Sequence, residues 1–257
     1  MKANNFFYEV YYLFIRGLKQ SLRPTAALIP SLLMPAFFLI VFSSAFSNLK
    51  GLPGFGDQSY LVFYAPVAIL QAIFFSSGDA GIDLVVDITS GYFDKLLIAP
   101  IRQISIIIGK LIAVGVRSTV QASIVIVLIL LLGGRIATGF PGFLVIILLG
   151  GFFGMAWSCV GMIIALLTKN QRATQSSFTL FFPFTFITTA QLPLSLLSGW
   201  YKVAVEINPV TYLLEAFRAL TTVGWEWDVI GKGFLMAAIV AAITMTGAVL
   251  SFKKVTS

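Results

Sequence analysis

Three residue patterns in this sequence could do chemistry. Asp79, Asp83 and Asp87 recur every four residues, so a helix through them carries a single acidic stripe. Gly54-Phe55-Gly56-Asp57 reads Gly-x-Gly-Asp, half of what peptide cleavage inside a membrane needs, since two embedded carboxylates must share a proton. No second aspartate is buried at matching depth, and the stretch precedes its apolar span, so it reads as a turn. Gly109-Lys110 and Gly231-Lys232 end like phosphate-binding loops, but Leu111 and Gly233 stand where Ser or Thr must follow, so no Walker A loop is present. The chain therefore has no means of its own to hydrolyse ATP.

What is missing narrows the chemistry further. The sequence has no histidine, which removes His-based zinc sites, Ser-His and Cys-His nucleophile pairs and imidazole proton relays. A lipid-modifying enzyme would need a nucleophile–base pair that is not here. The single cysteine, Cys159, allows no internal disulfide and reads as a small packing residue.

These residues must be positioned by membrane helices. Of 257 residues, 58% are apolar and 11% charged, with a mean hydropathy of +0.97; a soluble domain carries about a quarter charged residues. Each long apolar run fits a bilayer, which takes about 20 residues per helix. Six spans are expected, at about 26–47, 59–78, 111–133, 141–168, 176–197 and 229–252, in an all-α polytopic membrane protein. Ser43-Ser44-Ala45 resembles a signal-peptide cleavage site, but the run before it exceeds the about 7–15 residues of such a segment. Ahead of the first span, residues 5–23 place Glu9, Arg16, Lys19 and Arg23 on one helical stripe, as in an amphipathic helix lying on anionic headgroups.

The net charge of +7 is dispersed between spans, which argues against nucleic acid and instead reports orientation. With a cytoplasmic N-terminus, twelve of the 17 Lys and Arg residues fall inside and five (Lys50, Arg135, Lys202, Arg218 and Lys232) outside. Both termini are then cytoplasmic, in the cell (cytoplasmic or inner) membrane. Lys110, Val114, Arg117 and Gln121 share one face of the third span; Arg117 is expected to snorkel to the interface or to meet a partner rather than bind substrate.

Two connections are longer than turns require, about 79–110 inside and 198–228 outside. In the first, a short amphipathic segment opens at Ser90-Gly91 and stops at Pro100, displaying Tyr92, Phe93, Leu96 and Leu97. Such a helix either docks into a partner's groove or packs on its own chain. In the second, Asn208-Pro209 is an N-cap followed by a first helical residue, and Glu215 and Arg218 can pair three residues apart. Two short helices over about 199–222 are too apolar for water and too short to span, so they are expected to dip into the outer leaflet. Trp200, Tyr201, Tyr212, Trp225 and Trp227 suit headgroup depth.

On the fourth span, Gly150, Gly154 and Ser158 form a small-residue stripe for close helix approach. The fifth mixes hydroxyls with aromatics around Pro183. Phe178, Phe182, Thr185 and Thr189 would line an amphipathic pathway there, unless the threonines merely satisfy their own helix. An ion-coupled transporter would need midplane carboxylates, whereas the acidic residues here sit in loops or near span ends.

The run from Ser90 to Arg102, with Gly109-Lys110, resembles the coupling-helix region of ABC-2 type transporter permeases, most closely the daunorubicin-resistance-type drug exporters. Pro193-Leu194-x-x-Leu197-x-Gly199-Trp200 and Asn208-Pro209-x-Thr211-Tyr212 resemble that family's signature between the last two spans. The resemblance implies a coupling helix at about 90–98 docked on a separate cytoplasmic ATPase subunit, two copies per assembly. Tyr92, Phe93, Asp94, Leu96 and Leu97 would be its contacts, with Pro100 and Arg102 framing the return to the third span. It further implies a homodimer in which first and fifth spans of two copies face each other. No cofactor would be bound by this chain, ATP and magnesium being held by the partner. The cargo would be an amphipathic drug or lipid-like molecule, or alternatively a lipid-linked glycan or polymer.

Overall fold

In a computed structural model, residues 6–22, 25–47 and 59–256 are described. Arg23, Lys50 and the Gly54–Asp57 stretch lie outside them. Among the described residues every regular element is helical: α1 (Phe6–Leu22), α2 (Thr25–Ala45), α3 (Tyr60–Thr89), α4 (Tyr92–Ile98), α5 (Gln103–Leu131), α6 (Gly139–Thr168), α7 (Gln171–Gln175), α8 (Ser177–Phe186), α9 (Gly199–Ile207), α10 (Pro209–Arg218) and α11 (Trp227–Thr256).

Among the described residues four helices, α3, α5, α6 and α11, are long and apolar enough to cross a membrane. At 1.5 Å per residue the 30 residues of α3 reach about 45 Å, well beyond a hydrocarbon core of about 30 Å. The second apolar span therefore does not end at 78 in a loop. It continues as one helix through Asp79, Asp83 and Asp87 to Thr89, and α5 starts eight residues earlier than its apolar run.

The bundle centres on α3, which packs against α2, α5, α6 and α10. Since lipid is as apolar as a leucine core, packing rather than water exclusion holds such helices together. Phe74 shows this: its ring lies 5.3 Å from Phe153, 4.6 Å from Trp157 and 4.8 Å from Phe181, all edge-on. Small residues set the approach of α3 to α6. A Cβ on Gly81 would come 2.6 Å from the backbone carbonyl of Gly161, and Cβ atoms on Gly150 and Gly154 would strike Ile73 and Ser118, so the expected stripe on α6 is a contact surface. Cys159 is fully buried there.

The fifth span departs from expectation. Instead of a helix over 176–197, α8 stops at Phe186, an irregular segment follows, and a short 3-10 turn forms at Leu194–Leu196. Pro183 withholds one N–H from the helix. The carbonyls beyond it then take side-chain donors from later in the chain. Asn208 Nδ2 donates to Phe184 (2.8 Å) and Ile187 (2.6 Å), Tyr201 Oη to Phe186 (2.5 Å), and Arg218 Nη2 to Thr189 (2.8 Å). With these acceptors satisfied, non-helical backbone is tolerable at membrane depth.

α9 and α10 follow where two short helices were expected, and Asn208 Oδ1 caps α10 by accepting from Val210 N–H at 3.0 Å, with Pro209 next. α10 runs into a π-helical turn, Ala219–Val223. Its Leu220 and Thr221 carbonyls accept from the α5–α6 connection, through Thr138 Oγ1 (2.7 Å) and Ala137 N–H (3.0 Å).

Gly81→Val should therefore force α3 off α6 and lower stability by about 2 kcal/mol, read as an earlier thermal unfolding midpoint in detergent. Gly231→Ala, which meets open space, should leave the midpoint where it is.

Candidate functional site

At one end of the bundle a short helix is bound into its own chain and still presents an open face. Gly91, at φ 70°, takes the left-handed turn that lets α4 fold back from α3. Phe93 and Leu96 then point inward, 2% and 9% exposed, in a cluster with Leu84, Ile106, Ile107 and Phe252. The rings of Phe93 and Phe252 meet edge-on at 5.6 Å. Of the residues that the resemblance made partner contacts, these two are seated in the chain's own interior. Tyr92 and Leu97 are half-buried, while Asp94, Lys95, Ile98 (85% exposed), Pro100 and Arg102 lie on the open side.

Charge fastens this unit to the bundle. Asp87, 2% exposed, accepts two bonds from the Arg16 guanidinium (2.6 and 3.2 Å) and one from Lys110 Nζ (2.5 Å), so α1, α3 and α5 share one carboxylate. The Arg16 guanidinium also sits 3.6 Å above the Tyr92 ring, which adds α4 to the junction. Two turns deeper on α3, Asp79 pairs with Arg117 of α5. Arg117 is 5% exposed and so is covered by protein, where the antiparallel register of α3 and α5 brings it a carboxylate.

α1 closes the unit from outside. A Cβ on Gly109 would lie 2.6 Å from Leu13 Cβ, so only glycine lets α1 lie this close on α5. The Glu9 carboxylate accepts from Ser105 Oγ (2.6 Å) and Arg102 N–H (3.0 Å) at the start of α5. Those two bonds, the Ser105 hydroxyl's first, hold Glu9 below the usual carboxylate range. α1 is amphipathic as expected, but Arg16 faces the protein rather than lipid headgroups, and Lys19 is exposed. Neither the tie of Glu9 to the start of α5 nor the inward turn of Arg16 was read from sequence. For the pairs between α3 and α5 a signal did exist in register: Asp79 and Asp87 are eight residues apart and Arg117 and Lys110 seven, which match across an antiparallel pair.

The opposite end holds the second arrangement. Glu215 and Arg218 of α10 form the expected pair, and both bond the hydroxyl of Thr189 in the irregular segment. The Arg218 guanidinium also lies 4.4 Å from the Phe63 ring. Thr189 thus lines a cavity of about 550 Å³ with Phe63, Tyr212, Glu215, Arg218, Glu226 and Lys232. Of the four residues expected on a pathway, Thr189 is the one that lines this cavity. Thr185 is buried with no partner for its hydroxyl among the described residues, Phe182 is 45% exposed and stacks on Phe186, and Phe178 falls on the first turn of α8 with its side chain outside the described set.

Replacing Asp87 by Asn should leave Arg16 and Lys110 facing each other without their shared anion. Stability should fall by about 2 kcal/mol, less than for a fully buried pair because Arg16 is a third open to solvent. A double-mutant cycle of Asp87→Asn with Arg16→Gln, read by thermal unfolding, should return a coupling of about 1 kcal/mol.

Comparison with known proteins agrees with this architecture. The profile of the ABC-2 type transporter family matches residues 8–222. The chain is 30% identical over 233 residues to the daunorubicin resistance ABC transporter permease protein DrrB1 of Streptomyces coeruleorubidus, covering 85% of this chain and 78% of that protein. It is 27% identical over 222 residues to the putative transport permease ycf38 of Cyanophora paradoxa, covering 84% and 74%. It is also 23% identical over 202 residues to the probable doxorubicin resistance ABC transporter permease protein DrrC of Mycobacterium tuberculosis, covering 79% and 72%. With four long apolar helices and a family match over most of its length, the chain is an integral membrane protein that belongs to the ABC-2 type transporter family.

Proposed function

We propose that this chain is the membrane-spanning subunit of an ATP-driven exporter, energised by a separate cytoplasmic ATPase that carries the ATP and magnesium. The observation that carries the reading is α4: a seven-residue helix locked to α1, α3, α5 and α11 by Phe93, Leu96, Tyr92 and the Asp87 junction, with Asp94, Lys95 and Ile98 left open. A helix held this way transmits a push to four others without bending. Phe93 and Leu96 carry the force, while Asp94, Lys95, Leu97 and Ile98, bordered by Pro100 and Arg102, meet the ATPase.

In this reading the assembly is a dimer of the chain with two ATPase copies, and both termini are cytoplasmic. α2 serves as the first span, about 31 Å long at 1.5 Å per residue. α7, α8 and the irregular segment serve as the fifth, with α9 and α10 dipping back from the outer face. The names of two relatives, as daunorubicin and doxorubicin resistance permeases, support an amphipathic drug or lipid-like cargo. Catalysis would belong to the partner, this chain having neither a Walker loop nor a histidine. An ion-coupled carrier is less well supported, because Asp79 and Asp87 are already neutralised by Arg117, Arg16 and Lys110.

Ile98→Asp and Lys95→Glu together should reduce co-purification of a Walker-motif subunit at least about tenfold, the equivalent of about 1.4 kcal/mol. Insertion and thermal stability should stay as in the parent, since both side chains are exposed. Undiminished recovery of the ATPase would overturn the role given to α4.

A further inference from the structure

The cavity at the far end combines apolar walls with four charged side chains. Its volume, about 550 Å³, is that of a drug-sized pocket. Phe63 and Tyr212 supply aromatic walls, and Leu194, Val223 and Val229 apolar ones. Two carboxylates and two cations line it. Arg218 is used on Glu215, on Thr189 and on the Phe63 ring, and Lys232 is used on Asp228 at 2.7 Å. Glu226 has no side-chain hydrogen bond or ion pair among the described residues and is exposed on the corner before α11. Among the described residues one uncompensated negative charge therefore remains at the rim of an otherwise neutralised, mostly apolar cavity.

We infer that this cavity binds a small amphipathic ammonium ion, with the Glu226 carboxylate meeting the charged nitrogen and the apolar body lying along Phe63, Leu194 and Val229. The Glu215–Arg218–Thr189 cluster forms a fixed wall. An anion would have to displace Glu215 from Arg218 or Asp228 from Lys232, whereas an ammonium displaces nothing. The binding itself does not depend on the exporter reading; only the naming of the ligand as cargo does.

The test uses the full chain in dodecyl maltoside, which contributes neither charge nor amine, and two fluorescent probes that differ only at the nitrogen: dansylcadaverine, cationic at neutral pH, and its neutral N-acetyl derivative. An exposed ion pair contributes about 0.2–1 kcal/mol, so the cationic probe should bind up to about fivefold more tightly, a preference that shrinks with rising salt. Glu226→Gln should erase the preference and leave affinity for the acetylated probe as in the parent. Equal affinity of the parent for both probes, or a preference that survives Glu226→Gln, would overturn the site. Because no ATPase is present in the assay, failure here leaves α4's role standing, and failure to recruit an ATPase leaves this site standing.

Discussion

Asp87 is the point on which the α4 end of the molecule depends. A carboxylate this deeply buried is tolerated only when paired, and no single cation on a neighbouring helix supplies both charge and geometry. Arg16 offers a planar fork and Lys110 a point charge, so between them they fill the acceptor positions of Asp87 from two different helices. The position of α1 follows from this sharing, and with it the cation–aromatic contact that binds Tyr92. Remove the anion, and what is lost is the relative placement of four elements rather than one bond.

The two ends meet the same problem, polar groups held away from water, in different ways. At the α4 end ionised side chains neutralise each other across α1, α3 and α5. At the far end the groups to be satisfied are backbone carbonyls freed where α8 stops, and neutral or cationic donors on α9 and α10 reach them. The first solution makes a stiff junction. The second makes a closed surface of irregular backbone, which helices alone cannot form.

Much of this was legible in the residues. Hydropathy located the long helices, Asn208-Pro209 the start of α10, and three-residue spacing the Glu215–Arg218 pair, because each depends on neighbours within a turn or two. What was not legible depends on distant partners. The end of α8 is set by Asn208, 21 and 24 residues away in sequence, and the direction of Arg16 by Asp87, 71 residues away. Amphipathicity says that α1 has two faces, but not that Arg16 turns toward protein while Lys19 stays exposed. Equally, apolar length located a seam of threonines and phenylalanines without revealing that Thr185 is buried while Phe182, three residues before it, stays exposed.

The π turn at Ala219–Val223 has a consequence of its own. A straight α-helix advances about 100° per residue, so one residue absorbed in a wider turn rotates everything beyond it by that angle. Here the wider turn sets the direction in which the chain leaves α10 at Gly224, on the way to Glu226 and Val229 in the cavity that Phe63 also lines. The length of this short stretch is thus a phase setting. Loss of a single residue from it would swing the exit toward α11 by about 100°, a little over a quarter of the way round, with no change to any side chain on either helix.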